Sequence, residues 1–546
     1  MDLQTIEATS LGDLLVRAAR QHPDRRALAF PGYDATYREL LARSEARARS
    51  LLALGAEPGD HVGILAHNRP EVVEQLFGCA LAGTVAVLLN ARYRVDELGY
   101  VLGHADLTLL YTGAEETPTD FPALVDAALD GALSAARDPR TLATDAAPTL
   151  RAVILLGDGE RAGCLTAGAA AVLGESVDAA AVDRRRREVA LRAPCLMMYT
   201  SGTTSRPKGC LLCHEALVRN ALAMRDRLGI TAGDLQWNPL PLFHMASILP
   251  LLAMVGAGGG YLAETHFEAG AALEQLYAYQ PTLLYPAFPA ITADLLAHPD
   301  FDAGRLGCVR LINNVAPPET LRANMRALPG ALHISAYGMT EASGICCHGA
   351  ADEDDETRAT TCGRPYPGVQ LRVVDPDSGA VLPAEERGEI QVRGFSLLEG
   401  YYRDPARTAE AFTDDGWFRT GDLCSLTAQG QVAYHGRLKD LLKIGGENVS
   451  PLELENWLGT HPAVHLAQVV AAPDDRLGEV AAAFVQLREG ASLSAEELVD
   501  YCRGQIASFK IPRHVRFVSE WPMSATKIQK HVLAEQLRAE LAASQA

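Results

Sequence analysis

The stretch Tyr199–Gly209 reads YTSGTTSRPKG, and its reading decides the fold. It gathers four hydroxyl side chains (Thr200, Ser201, Thr203, Thr204), the glycines Gly202 and Gly209, and Lys208 into one turn. The apolar run Cys195–Met198 just ahead of it predicts a buried strand, and Leu211–Leu222 after it reads as a helix. A strand, a hydroxyl- and glycine-rich loop with a cation, and a helix together make a phosphate cradle. Glycines let backbone N–H groups approach, hydroxyls donate, and Lys208 supplies positive charge. The loop is not of the Walker A type, because Lys208 is followed by Gly209 where that motif needs Ser or Thr.

Further motifs follow at intervals along the chain. PLFHMAS spans Pro241–Ser247, AYGMTE spans Ala336–Glu341, and GWFRTGDL spans Gly416–Leu423. GRLKDLLKIGGENVSP runs from Gly436 to Pro451, SFKIPR from Ser508 to Arg513, and PMSATKIQK from Pro522 to Lys530. In kind and in order they resemble the adenylate-forming superfamily of acyl-CoA synthetases, firefly luciferases and the adenylation domains of peptide synthetases. The resemblance covers nearly the whole chain.

Composition bounds the reading independently. A chain of 546 residues, 48% hydrophobic, is long enough for several domains with sizeable cores. A net charge of −19 argues against nucleic acid or an anionic membrane as a partner of the whole molecule. An anionic ligand must therefore be held by locally positive loops. The first ten residues, MDLQTIEATS, lack a basic segment and an apolar segment, so no secretory signal is read there. No apolar run reaches the length of a membrane span, and integral membrane association is not expected. Eleven cysteines without paired spacing read as free thiols of a cytoplasmic protein. Cys210, Cys213 and His214 spell the C-x-x-C-H of haem attachment, which needs export and is set aside on that ground. Arg184–Arg187 reads as a solvated helix face and Asp352–Glu356 as an exposed loop.

Short apolar strands alternate with helical stretches: His61–Ala66 before Glu71–Leu81, then Val85–Leu89, Thr108–Tyr111, Val153–Leu156, Leu283–Pro286, Val309–Asn313 and His333–Ser335. Such alternation predicts an α/β fold of parallel sheets covered on both faces. From Pro367 the texture changes to turn-linked strands, Val369–Asp375, Glu389–Val392 and Gln431–His435, suggesting a small antiparallel region. After Gly436 comes an α+β unit with strands Leu466–Ala471 and Val480–Leu487. Its helix from Ser494 opens on a Ser-x-x-Glu capping box closed by Glu497. The resemblance implies a large N-terminal adenylation domain over 1–438, built from two doubly wound sheets plus a distorted β-barrel region. It also implies a small mobile C-terminal α+β domain over 439–546, hinged near Lys439.

For function, the resemblance implies an AMP-forming acyl-CoA synthetase. A carboxylic acid and ATP give acyl-AMP and pyrophosphate, and the acyl group then passes to the thiol of CoA. Both reacting oxygens are anionic, so aligned cations and donors lower the barrier more than proton transfer would. Residues Thr200, Ser201, Gly202, Thr203, Thr204 and Lys208 are expected on the β- and γ-phosphates, and Thr340 on the α-phosphate. Glu341 is expected to hold Mg²⁺, a hard cation suited to carboxylate and phosphate oxygens. Asp422 is expected on the ribose hydroxyls with Arg437 alongside, and Tyr337 on adenine with Val315, Ala316 and Pro317 closing the other side. Gly445 and Gly446 would line the pantetheine tunnel; as residues alone, they read equally well as a turn.

His244, in PLFHMAS, matches a position bordering the acyl pocket, where amino-acid-activating relatives usually carry aspartate. The absence of an anion there points to a plain carboxylic acid, since an α-ammonium group would be buried unpaired. The apolar run Ile248–Gly258 favours a fatty or other apolar acid, aromatic acids included. Two departures from the pattern stand out. Ser205 occupies a position where family loops usually have glycine, and the usual T-x-x-G-K near the C-terminus has lost its glycine, so Thr526 runs straight into Lys527. Alignment on Ile528–Lys530 makes Lys527 the catalytic lysine, with Lys530 as the fallback. Transfer to a carrier protein and a silent nucleotide binder remain the alternatives, and a homodimer stays open.

Overall fold

The computed structural model describes residues 8–115, 118–200, 206–445, 447–474, 476–524 and 527–545, with side-chain detail for all of these but 524, 527 and 542–545. Two large sheets organise most of the chain. One has eight strands in the order Gly400–Tyr401, Lys208–Cys213, Pro194–Thr200, Val85–Leu88, His61–Leu65, Leu107–Gly113, Ala152–Leu156 and Cys164–Leu165. From Pro194–Thr200 to Cys164–Leu165 its neighbours are parallel. The other has seven strands, centred on Leu235–Asn238, Gly260–Ala263 and Leu283–Ala287, and is parallel apart from the edge strand Tyr33–Thr36. The apolar runs of the sequence sit on these strands because a parallel strand is buried on both faces.

One continuous core joins the two sheets. It contains Ile64 and Leu109 from the first, Tyr261 and Leu283 from the second, and helix residues such as Leu14, Phe77, Leu217 and Leu251. The helix Pro70–Ala82 is buried at every position from Val72 to Ala82, as its all-round apolar sequence requires.

The predicted helix over Leu211–Leu222 is corrected by the structure. Lys208–Cys213 is a strand, antiparallel to Pro194–Thr200 with Thr200 opposite Lys208, and the helix starts only at His214. The YTSGTTSRPKG stretch is therefore the turn of a β-hairpin, and no helix N-terminus follows it directly. Cys210 and Cys213 point into packed surroundings on that strand, and both are buried. Arg186 of the four-arginine run is also more than a solvated residue, being ion-paired with Asp13 and Asp183. Within the acidic run, Glu353 is buried, and a helix begins at Asp355.

Beyond Pro367 the antiparallel region appears as the four-stranded sheet Val369–Val374, Gly388–Gly394, Phe418–Leu426 and Val432–Arg437. A single 3-10 turn, Leu438–Asp440, separates its last strand from Leu442–Ile444, which belongs to a different, five-stranded sheet. That sheet has its own core of residues such as Leu442, Leu454, Val469 and Val485. The capping box at Ser494 is formed, with Glu497 reaching back to the cap.

Asn68 ties the carboxyl ends of the two large sheets together. Its side-chain amide donates to the carbonyls of Leu240 (2.9 Å) and Glu264 (3.0 Å), and its oxygen accepts from Leu242 N–H (2.7 Å). Asn68 follows a strand of the first sheet, while Leu240 and Glu264 follow strands of the second. The loop carrying PLFHMAS is thus pinned over the crevice where parallel sheets usually bind ligands. Asn68→Ala should lower the unfolding free energy by about 1–3 kcal/mol, the cost of leaving buried polar groups unmet. Urea denaturation checks this, and an unchanged midpoint would mean that the three bonds do not hold the sheets in register.

Candidate functional site

The hairpin around the phosphate loop sets one wall of the site. Ser201, Gly202, Thr203, Thr204 and Ser205 lie outside the described residues, but both stems are described. Thr200 closes the first strand, with its hydroxyl 3.8 Å from the Cys210 sulfur. Lys208 opens the second, and its ammonium lies 4.4 Å from the centre of the Tyr401 ring. The two-residue strand Gly400–Tyr401 pairs antiparallel with Leu211 and Cys210, which places Tyr401 beside the hairpin.

AYGMTE enters from the other side. Ala336–Met339 is a strand, and Thr340–Ala342 forms a 3-10 turn that ends on Ser343 in the left-handed region at φ +56°. That strained turn is held from behind. The Asn220 amide donates to the carbonyls of Ser343 (3.0 Å) and Ile345 (2.7 Å), and the Ser343 hydroxyl donates to the Ser396 carbonyl (2.7 Å). Gly338 cannot carry a side chain here, because a Cβ would fall 2.0 Å from the Gly344 carbonyl oxygen. The turn brings Glu341 to the hairpin, where its Oε1 accepts from the Tyr401 hydroxyl at 3.0 Å. Burial first, and the Glu341 charge second, push the Cys210 thiol well above its ordinary range, so it stays neutral.

A second charged group lies under Tyr337. Asp422 is 4% exposed; its Oδ2 accepts from the Tyr337 hydroxyl at 2.8 Å, and its Oδ1 pairs with Arg437 Nε at 2.7 Å. The two strands that carry Asp422 and Arg437 are antiparallel neighbours, with these residues directly opposite. Burial works against the Arg437 charge, but the Asp422 carboxylate outweighs it, and the guanidinium titrates above its usual value. Burial and Asp422 likewise push the Tyr337 phenol up, which fixes it as a donor. The ring expected to stack on adenine is itself buried, and the exposed aromatic surface at this corner belongs to Tyr434, 6.3 Å away.

The remaining sequence candidates take separate places. Val315, Ala316 and Pro317 follow the strand Leu311–Asn314, and Val315 is exposed. His244 is the N-terminal cap residue of the helix Met245–Ala257, with its ring 4.7 Å from that of Phe243. Gly445 turns at φ +60° and is exposed, while Gly446 lies outside the described residues. Lys527 forms a two-residue strand with Ile528, paired to Met523–Ser524; its side chain lies outside the described residues. Lys530 is already engaged, 2.5 Å from the Glu455 carboxylate. The structure thus brings Thr200, Lys208, Thr340 and Glu341 together, and Tyr337, Asp422 and Arg437 together. Tyr401, Cys210 and Tyr434 escaped the sequence reading. Of these only Cys210 borders a motif, and nothing in the spacing of Gly400–Tyr402 marks Tyr401.

The AMP-binding enzyme family matches residues 15–402, and the AMP-binding enzyme C-terminal domain matches residues 453–527. The chain belongs to this family. It is 34% identical to YngI of Bacillus subtilis over 96% of this chain and 97% of that one. It is 31% identical to the human mitochondrial medium-chain acyl-CoA ligase ACSF2 over 98% of this chain and 89% of the relative. Among solved structures it is similar to the anthranilate CoA ligase AuaEII in complex with anthranoyl-AMP, with a TM-score of 0.85 and 25% identity, covering 98% of each chain. With both domains matched and full-length relatives of this kind, the chain is an AMP-forming carboxylic acid–CoA ligase that uses ATP and CoA.

The Asp422 cluster carries a direct consequence. Asp422→Asn removes the negative charge facing Arg437 and any hydroxyl donor of a bound nucleotide, so AMP affinity should fall by roughly tenfold or more, the scale of a charge-assisted hydrogen bond. Calorimetric titration with AMP checks it; unchanged affinity would place the nucleotide elsewhere.

Proposed function

We propose that this ligase activates an apolar carboxylic acid, with Mg²⁺ held at Glu341 and the acid seated beside His244 and the helix Met245–Ala257. The observation that carries the substrate class is the wall next to the Thr340–Glu341 turn. A Cβ on Gly344 would meet Leu249 Cδ2 at 3.1 Å and Met245 Cε at 3.3 Å, so side chains of this helix close directly on the strand that follows the turn. The helix is buried from Ser247 to Val255 and has no charged residue. No anion stands at His244 to receive an ammonium group, which favours a plain acid over an amino acid. The medium-chain ligase named among the relatives supports the same class.

Mg²⁺ fits the donor set. Tyr401 occupies one oxygen of Glu341, leaving the other with the Thr340 and Thr200 hydroxyls nearby, all hard oxygen donors. Among the described residues no group of three or more His, Cys, Asp or Glu side chains could hold a metal alone, so substrate phosphates would complete the sphere. When bound, the cation neutralises charge on the phosphates as the carboxylate approaches. Lys208 and the hairpin loop hold the β- and γ-phosphates, and Thr340 donates at the α-phosphate. Asp422, backed by Arg437, accepts from the ribose hydroxyls. Tyr337, with Tyr434 and Val315–Pro317, bounds the adenine. Positioning and electrostatics supply most of the acceleration in such displacements.

The hinge is placed at Lys439, in the 3-10 turn between the last strand of one sheet and the first strand of another. Rotation there exchanges two faces of the small domain, the one with Lys527 for acyl-AMP formation and the one with Gly445–Gly446 for thioester formation. The engagement of Lys530 by Glu455 supports Lys527 as the lysine that reaches the reacting oxygens. Eleven free cysteines, all but Cys308 buried, favour a reducing cytoplasm. Among the described residues no helix is long and apolar enough to cross a membrane.

Lys527→Ala should slow acyl-AMP formation by roughly 10²–10³-fold, the scale of losing one electrostatic stabiliser of the transition state. Given preformed acyl-AMP and CoA, the same variant should form thioester at close to the native rate, and Lys530→Ala should change neither step. Single-turnover assays of the two half-reactions check this. A Lys530-sensitive, Lys527-insensitive enzyme would shift the catalytic position by three residues.

A further inference from the structure

We infer that Tyr401 is a positioning residue of the adenylation step, which keeps Lys208 and Glu341 apart and aims each at its own part of the metal–nucleotide complex. The inference rests on the assignment of Glu341 to the metal and Lys208 to the phosphates.

Tyr401 touches both charges at once. Its hydroxyl donates to Glu341 Oε1 at 3.0 Å, while the Lys208 ammonium sits 4.4 Å from the centre of its ring. The residue is 7% exposed and its backbone is fixed by pairing with Cys210 and by Tyr401 N–H donating to Thr408 Oγ1 at 2.9 Å. A lysine and a glutamate this close to one aromatic side chain would ordinarily close into an ion pair. Among the described residues no ion pair joins Lys208 to Glu341. The ring face offers the ammonium a substitute partner through its quadrupole, and the hydroxyl offers the carboxylate another. Neither substitute neutralises the charge it holds. Burial, followed by the Glu341 charge, raises the Tyr401 phenol far above its ordinary range, so it is a donor at every working pH.

The chemistry of the ligand explains why such a spacer matters. A metal needs a carboxylate that is not already spent on an ammonium, and a triphosphate needs an ammonium that is not already spent on a carboxylate. A direct Lys208–Glu341 pair would have to be broken at each ATP binding, with two charges desolvated for nothing. With Tyr401 between them, both groups wait in place, and Glu341 keeps one oxygen and its full charge for the cation.

The test compares ATP affinity by calorimetry, without acid or CoA, in excess Mg²⁺ and in excess EDTA; the ratio is the gain due to the metal. Tyr401→Phe keeps the ring and loses the hydroxyl, so this gain should shrink by ~10-fold, the scale of one hydrogen bond to a charged group, with metal-free ATP affinity unchanged. Tyr401→Leu loses the ring as well and should also weaken metal-free ATP binding, because Lys208 is no longer held. A purely structural tyrosine would lower both affinities together, along with the melting temperature, and that outcome overturns the inference. Glu341→Gln serves as the reference. If it abolishes the gain while Tyr401→Phe retains it, the positioning role fails and the metal assignment stands. If Glu341→Gln retains the full gain, the metal assignment fails and the inference with it. Should Tyr401→Leu not fold, Tyr401→Phe alone decides.

Discussion

The pairing of Lys208–Cys213 between Pro194–Thr200 on one side and Gly400–Tyr401 on the other is the constraint on which the site depends. A chain with a net charge of −19 must bind a triphosphate against its own field, so every positive group at the site has to be local and fixed. The sheet hydrogen bonds supply that fixity. They set Thr200 opposite Lys208, bring Tyr401 alongside, and leave the intervening turn as the phosphate loop. A lysine on a free loop would offer the same charge with far more conformational entropy to lose on binding.

The opposite wall is built from different materials. Glu341 follows a turn held by Asn220 and by the positive-φ Ser343, and Asp422 faces Arg437 across two antiparallel strands. Both carboxylates are shared with tyrosines that burial keeps protonated, so each accepts one hydrogen bond without losing its charge. Partly satisfied carboxylates can stay ionised in half-dry surroundings and still accept from a ligand. The apolar helix Met245–Ala257 then offers the substrate chain a wall with no competing charge.

Much of this was legible before the coordinates. Parallel strands read correctly because their apolar runs are short and bounded, and Asp422, Arg437, Glu341 and Lys208 sit in motifs whose residue types announce their chemistry. The segment after Gly209 was misread as a helix because Leu211, Leu212 and Cys213 suit either state, and the pairing that decides it involves residues nearly two hundred positions away. Tyr401 was illegible for the same reason: its role arises from Lys208 and Glu341 arriving at its two ends, and neither is near in sequence. The sequence likewise assigned Tyr337 an exposed face for adenine, whereas its hydroxyl is drawn to Asp422 and its ring is buried.

The central claim is that these separated charges activate an apolar acid as its adenylate. Acid-dependent exchange of labelled pyrophosphate into ATP, measured without CoA, tests it most directly. The account predicts exchange with aliphatic or aromatic monocarboxylic acids, absent without acid and far weaker with α-amino acids of the same side chain. Binding of ATP with no exchange for any acid, or exchange supported best by amino acids, would contradict it.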